Sequence, residues 1–311
     1  IRAWQDWLVG SEMCIRDRGM TAGVLYNVRH AGARDAARLD AFLAQHPATS
    51  MFLRSNLAAH GTDDTTHPHG TSFFISEAGG AITGVFGITN AGFLLAQAPD
   101  APPEAWDAFA QAIKGRVVAG MTGRPVQVPM CLKACGLILG PWAVLADDPI
   151  YHLMLSDLVD MPGQVRAPTV DDLALLERWY ATYALDTGQA LVDHVPSPEI
   201  KARAARAVGS DDVALLEEGG LPVAMAGVNA RLVDTVQLGG VFTPDGLRGN
   251  GYARRAVAGL LRRCAAQGIT QSVLFANNDA AAQAYEALGY RRVGDYRVAI
   301  LRTPTRIGDV T

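Results

Sequence analysis

Apolar positions in the second half of the chain switch between two periods. Val170, Leu173, Leu176, Trp179, Tyr180 and Tyr183 recur in steps of three and four. That spacing predicts a helix over 170–184, capped by Thr169. Ser197-Pro198-Glu199 is a cap followed by proline in the first turn, and it opens a second helix, 198–208. Val213–Glu217 and Val223–Asn229 flank Glu218-Gly219-Gly220-Leu221-Pro222 and read as a β-hairpin. Thr235–Phe242 is the next strand. A loop and helix follow over 249–267, with Ala253, Val257, Leu260, Leu261 and Cys264 on one face and Arg254, Arg255, Arg262 and Arg263 off it. Strand 272–276, helix 278–288 and strand 291–302 complete this half.

The first half repeats the order faintly. Strands are expected at Tyr26–His30, Thr71–Ser76, Ala81–Thr89, Phe93–Ala96, Arg116–Met121 and Ile150–Leu158. Helices are expected at Arg34–Gln45, Ser50–Ala59, Pro103–Lys114 and Val126–Cys135. The stretch 146–168, with Asp160-Met161-Pro162-Gly163, reads as the junction between halves. The fold class expected is α/β with a mixed sheet (α+β in its segregation), in two units: 20–160 and 161–311.

One turn carries chemistry. Val241-Phe242-Thr243-Pro244-Asp245-Gly246-Leu247-Arg248-Gly249-Asn250-Gly251-Tyr252-Ala253 runs from an apolar strand into a helix. Such a turn aims free N–H groups at one spot, at the positive end of the helix dipole, and makes an anion site. A dinucleotide fingerprint does not fit, since Arg254 stands at the third glycine position and no acidic residue follows about twenty residues on. A P-loop does not fit either, because no Gly-Lys-Ser/Thr occurs. What fits is R-x-x-G-x-A, at Arg248, Gly251 and Ala253. It resembles the acyl-CoA pyrophosphate loop of the GNAT superfamily of N-acetyltransferases. The preceding Gln237-Leu238-Gly239-Gly240-Val241-Phe242-Thr243-Pro244 is similar to the glycine N-acyltransferase-like branch. Downstream, Asn278-Asp279-Ala280-Ala281-Ala282-Gln283-Ala284-Tyr285-Glu286-Ala287-Leu288-Gly289-Tyr290 resembles the family's second signature, N-x-x-A-x-x-x-Y-x-x-x-G-[FY]. Asn278 would cap its helix, Tyr285 would lie on the inner face and Gly289 would end it.

The resemblance implies two GNAT-like units in tandem, the first degenerate. At the matching position the first unit reads Gln97-Ala98-Pro99-Asp100-Ala101-Pro102-Pro103-Glu104. It has no glycine, its prolines lack N–H donors, and Asp100 and Glu104 would repel phosphate. Its expected role is to wall the acceptor site or to stabilise the second unit. The rival reading is an unrelated α/β domain.

Composition adds limits. The chain has 311 residues and a net charge of −4, with no block of like charges, so nothing favours nucleic acid or an anionic membrane as a partner. No apolar run reaches a membrane span. Cys14, Cys131, Cys135 and Cys264 lack disulfide-framework or zinc spacing, and Cys131 and Cys135 lie one helical turn apart, as on a buried face. A cytoplasmic setting and a monomer or homodimer are expected. Residues 1–19 read as foreign or disordered: Ser11–Arg18 resembles a translated adapter string, and Met20 is a plausible start. His60, His67 and His69 lie in a loop that reads as solvated rather than as a metal site. No metal is expected.

By resemblance, Val241, Phe242 and Thr243 meet pantetheine and thioester through their backbone, with an N–H near Val241 polarising the thioester carbonyl. The N–H groups of Gly249, Asn250, Gly251, Tyr252, Ala253 and Arg254 hold the pyrophosphate. Arg248 either orients the loop or touches the diphosphate. The Arg254 and Arg255 side chains either reach phosphate or form a solvated face, and Tyr252 packs. Asn278 meets pantetheine as well as capping. Tyr285 is the candidate acid: aminolysis expels a thiolate of conjugate-acid pKa ~8.5, to which a phenol of pKa ~10 can donate. The bland reading of Tyr285 is a core tyrosine. The base is not visible, because Gln237 stands where many relatives have glutamate. Glu217, Glu218, Asp186, Asp193, His194 or a relayed water are the alternatives. The expected function is acetyl-CoA-dependent N-acylation of a primary amine, small or amino-acid-like, by direct attack in a ternary complex. The rivals are a non-catalytic acyl-CoA sensor and an aminoacyl or peptidyl transferase.

Overall fold

The computed structural model describes residues 28–187, 196–276 and 278–308. The first arm comprises β1 (Val28–His30), α1 (Ala36–Leu43), α2 (Met51–His60), β2 (Thr71–Ala78), β3 (Ala81–Thr89), β4 (Phe93–Gln97), α3 (Pro103–Ala112), β5 (Val117–Gly123), α4 (Gln127–Ala134) and β6 (Trp142–Met154). The second comprises β7 (Val165–Arg166), α5 (Leu173–Asp186), α6 (Pro198–Ala207), β8 (Val213–Glu218), β9 (Leu221–Arg231), β10 (Thr235–Phe242), α7 (Tyr252–Ala266), β11 (Gln271–Phe275), α8 (Asp279–Glu286) and β12 (Arg291–Arg306).

All twelve strands form one mixed sheet in the order β1-β2-β3-β4-β5-β12-β6-β11-β10-β9-β8-β7. Pairing is antiparallel except between β4 and β5 and between β10 and β11. The two closing strands are exchanged. β6, which ends the first arm in sequence, pairs with β11, while β12, which ends the second, pairs with β5. β6 and β12 then pair with each other along their length, from Arg291↔His152 to Leu301↔Trp142. A division of the chain at residue 160 therefore does not separate two closed sheets.

Helices cover both faces. Leu176, Trp179 and Ala204 of α5 and α6 pack on Leu215, Met225 and Phe242, and Val257, Leu260 and Leu261 of α7 pack on Val236, Leu238 and Leu274 from the other side. The first arm repeats this with Leu39 and Leu53 on Phe73 and Ile75, and with Trp106, Phe109 and Cys131 in the cluster of Phe86, Ile88 and Leu94. Cys131 and Cys135 are both buried and free, as one helix face requires. A middle cluster of Met51, Ile150, Val273 and Tyr296 joins the arms.

Most elements lie within a few residues of their predicted bounds. The exception is β6, which starts at Trp142 rather than Ile150, so residues 146–154 are strand and not junction. The reason is tertiary. Ala146-Asp147-Asp148-Pro149 has poor strand propensity, but β12 pairs with it residue by residue and Arg297 holds the Asp147 carboxylate through two bonds of 2.6 Å.

Sequence reading also missed a clamp that both arms share. Arg29 binds Asp35 (2.8 Å) and Glu77 (3.0 Å); Arg166 binds Asp172 (2.6 Å) and Glu217 (2.7 Å). In each arm the arginine sits on the edge strand, the aspartate six residues later at the first helical turn, and the glutamate at the end of the next strand. The signal was present as Arg-x5-Asp in both halves. Asp35 and Asp172 are both depressed to about 2, chiefly by the arginine hydrogen bond. Their folded values lie below the ordinary 3.8, so the stabilisation is complete above that pH and is lost as pH falls toward 2. Replacing Asp172 by Asn should cost about 2 kcal/mol at neutral pH. It should also flatten the acid limb of a denaturant-midpoint profile; an unchanged midpoint would show that the clamp is energetically idle.

Candidate active site

The site begins where two parallel strands part. β10 and β11 pair only from Thr235↔Gln271 to Gln237↔Val273. Beyond that rung β10 follows β9 to Phe242↔Met225, and β11 follows β6 to Phe275↔Ile150. Register shifts at Gln237/Leu238 and Gly239/Phe242 mark bulges that bend β10 away, and Gly240 takes φ +61° within them. The opening is a cleft of about 1200 Å³.

The glycine-rich turn forms one wall. Gly249 and Gly251 adopt φ of +83° and +74°, in the left-handed region, and Gly251 is the N-cap of α7. The backbone N–H groups of Gly249, Asn250 and Gly251 have no acceptor among the described residues, and those of the first helical turn are free by geometry. Arg248 braces the turn: its Nε donates to the Thr243 carbonyl at 3.0 Å, and its guanidinium meets Asp186 and Asp245 at 2.7 and 2.8 Å. Arg255 is engaged by Glu218 and the Pro162 carbonyl and lies over the Tyr252 ring, while Arg262 holds Asp160. Arg254 makes no ion pair among the described residues and lines the cleft. Asn250 turns out of it, its amide bonded to the Leu247 carbonyl, whereas Gly249, Gly251, Tyr252 and Ala253 line it.

The remaining predicted residues converge on the same cleft. Val241, Phe242 and Thr243 line it, although the Phe242 ring packs on Trp179. The Thr243 hydroxyl is buried without a partner. Asn278 caps α8 by accepting the Ala281 N–H at 2.8 Å and lines the cleft. Tyr285 also lines it, is 8% exposed, and stacks edge-on to Tyr290 with no hydrogen bond from its hydroxyl among the described residues. Burial, and secondarily Tyr183, push its pKa up, so the phenol keeps its proton.

The candidate bases fare differently. Glu217 and Glu218 are held by Arg166 and Arg255 away from the cleft. They are hairpin residues, as expected, but paired ones. Asp186 lines the cleft but is bound to Arg248. Asp193 and His194 lie outside the described residues. Gln237 is 1% exposed and lines the cleft, with its Oε1 unpartnered. Sequence reading missed Phe52 of α2 and Val144, Ala146 and Asp148 of β6, all of them in the cleft wall. No local motif marks them, since the strand exchange is what brings them there. At the matching place in the first arm, Gln127 accepts the Ala98 N–H at 3.0 Å and Gln97 accepts from Thr49 at 2.7 Å, so side chains fill the turn. His60, the last residue of α2, stacks at 4.0 Å on His67 of the loop that follows, and no cluster able to hold a metal occurs among the described residues.

The site is thus a mixed sheet whose parallel strands splay beside a glycine turn with N–H groups that have no acceptor among the described residues. Residues 176–290 match the model of the acetyltransferase (GNAT) family. No curated protein matches this chain. Among solved structures it is similar to a GNAT-family acetyltransferase from Colwellia psychrerythraea (15% identity, 88% of this chain and 100% of that one, TM-score 0.51). It is also similar to a Drosophila protein (12%, 89% and 99%, TM-score 0.57) and to a GCN5-related N-acetyltransferase from Sphaerobacter thermophilus (16%, 92% and 98%, TM-score 0.52). At these identities the likeness is one of fold.

Gly251→Ala places a Cβ in the left-handed region and within 3.2 Å of Arg254. The expected loss is about 1 kcal/mol, read as a lower denaturant midpoint. An unaltered midpoint would mean that the turn relaxes freely.

Proposed function

We propose that the cleft binds acetyl-CoA and transfers its acetyl group to a primary amine by direct attack, with both substrates bound. The observation that carries this reading is the convergence of three unsatisfied groups on one cleft: the N–H groups of the glycine turn, the buried Thr243 hydroxyl and the Tyr285 hydroxyl. Each suits one part of an acyl-CoA. The turn and Arg254 fit a pyrophosphate. The parted edge of β10, with Thr243 and Asn278, fits pantetheine, which can pair with a strand as another strand would. An N–H near Val241 would polarise the thioester carbonyl.

In the transfer the amine nitrogen forms a bond to the carbonyl carbon and the carbon–sulfur bond breaks. Tyr285 gives its proton to the departing sulfur and regains one from the acylated nitrogen. Its burial keeps the phenol neutral until a thiolate develops beside it. Arg248 acts through the turn, by fixing the Thr243 carbonyl, and so positions rather than reacts.

Two substitutions test this. Gly251→Glu sets a carboxylate among the N–H groups and should abolish acetyl-CoA binding by calorimetry; retained affinity would remove the turn from the site. Tyr285→Phe should lower kcat by about 100-fold with the acetyl-CoA Kd nearly unchanged. An unchanged kcat would remove Tyr285 as the acid. Acetyl-CoA binding without CoA release across a broad amine panel would leave a binding protein and no enzyme.

A further inference from the structure

The wall that β6 gives the cleft carries a carboxylate, Asp148. On a shared rung Gln237 pairs with Val273 and Val273 pairs with His152. Four residues further in the same direction, β10 reaches Val241 and β6 reaches Asp148, while β11 has ended at Phe275. Val241 and Asp148 both line the cleft, from the two strands that flank β11. A pantetheine arm running along β10 would lie in the same cleft as Asp148.

Asp148 differs from the acidic residues around it. Asp147 is held by Arg297 and Asp186 by Arg248. Asp148 lines the cleft, is half-buried, and makes no hydrogen bond or ion pair among the described residues. Burial, and then Asp147, raise its pKa. A carboxylate drawn from water without a cation lacks a partner. The walls around it are apolar: Phe52, Phe275, Val298 and Ile300. The two arginines among the described lining residues, Arg248 and Arg254, both belong to the glycine turn, so a substrate carboxylate beside Asp148 would meet a like charge and apolar walls.

We propose that Asp148 receives the ammonium group of the acyl acceptor and takes its proton, and that the acceptor is a primary amine on an apolar body that carries no carboxylate. This rests on the acetyl-transfer reading above and supplies the base that Gln237 cannot be. One ammonium proton passes to the Asp148 carboxylate, and the freed lone pair forms the carbon–nitrogen bond. The second proton follows the Tyr285 route to the sulfur, and Asp148, only half-buried, returns its own proton to solvent.

The test uses the full chain, with 2-phenylethylamine and phenylalanine as probes, the same body without and with a carboxylate. Acetyl-CoA affinity is measured first, because its absence in the wild type would defeat the acetyl-transfer reading itself. With that affinity present, wild-type kcat/KM should favour 2-phenylethylamine by about tenfold or more. Asp148→Asn should lower kcat/KM for the amine by about 100-fold and weaken amine binding to the CoA-loaded protein in calorimetry. Its acetyl-CoA Kd and melting temperature should stay as in wild type. Asp148→Glu, which keeps the charge, should recover part of the amine binding. If acetyl-CoA binds but 2-phenylethylamine neither binds nor reacts, the proposal is overturned while the acetyl-CoA site stands. Preference for phenylalanine, or an Asp148→Asn variant with unaltered amine affinity and kcat/KM, overturns it equally.

Discussion

The ladder between β6 and β12 is the constraint on which the rest depends. These are the two longest strands, of 13 and 16 residues, and they occupy the middle of the sheet. Each continues into the arm from which it does not come. Remove either, and β5 or β11 becomes a bare edge of unpaired backbone groups next to a buried core, which a folded sheet does not tolerate. The exchange therefore makes the halves interdependent, although each contributes its own helices and hydrophobic layers.

The same ladder shapes the cleft. β11 is short and stops at Phe275, but β6 runs on past it because β12 supports it to Trp142. The space left by β11 is thus bounded on one side by β10 and on the other by a strand from the first arm. Phe52, on a helix of that arm, stacks toward Phe275 and Tyr296 and closes the apolar end. The first arm keeps the splayed-strand topology but fills its own turn with Gln97 and Gln127, and its contribution to the second arm's cleft is a wall.

Electrostatics divides the cleft into two ends. Positive charge and N–H groups gather at the glycine turn, where Arg248 is tied down and Arg254 has no ion pair among the described residues. Among the described lining residues, the opposite end sets Asp148 and the amides of Gln237 and Asn229 among apolar side chains. An anionic cosubstrate and a cationic acceptor can enter such a cleft without competing for the same groups.

What the sequence determined by itself was local. Periodicity placed nearly every helix and strand. The glycines at 249 and 251 specified the turn, because only a residue without Cβ takes that backbone freely. Asn278 and Tyr285 were legible because cap and inner face lie seven residues apart on one helix, a spacing written in the chain. Even the Arg-Asp clamps were there to be read as Arg-x5-Asp. The tertiary structure decided what depends on partners distant in sequence. It extended β6 through Asp147-Asp148-Pro149 against local propensity, exchanged the closing strands, paired some arginines and carboxylates across distant segments, and brought Asp148 into the cleft that Val241 lines. No local pattern encodes such a juxtaposition, since strand register is fixed by hydrogen bonding between segments more than a hundred residues apart.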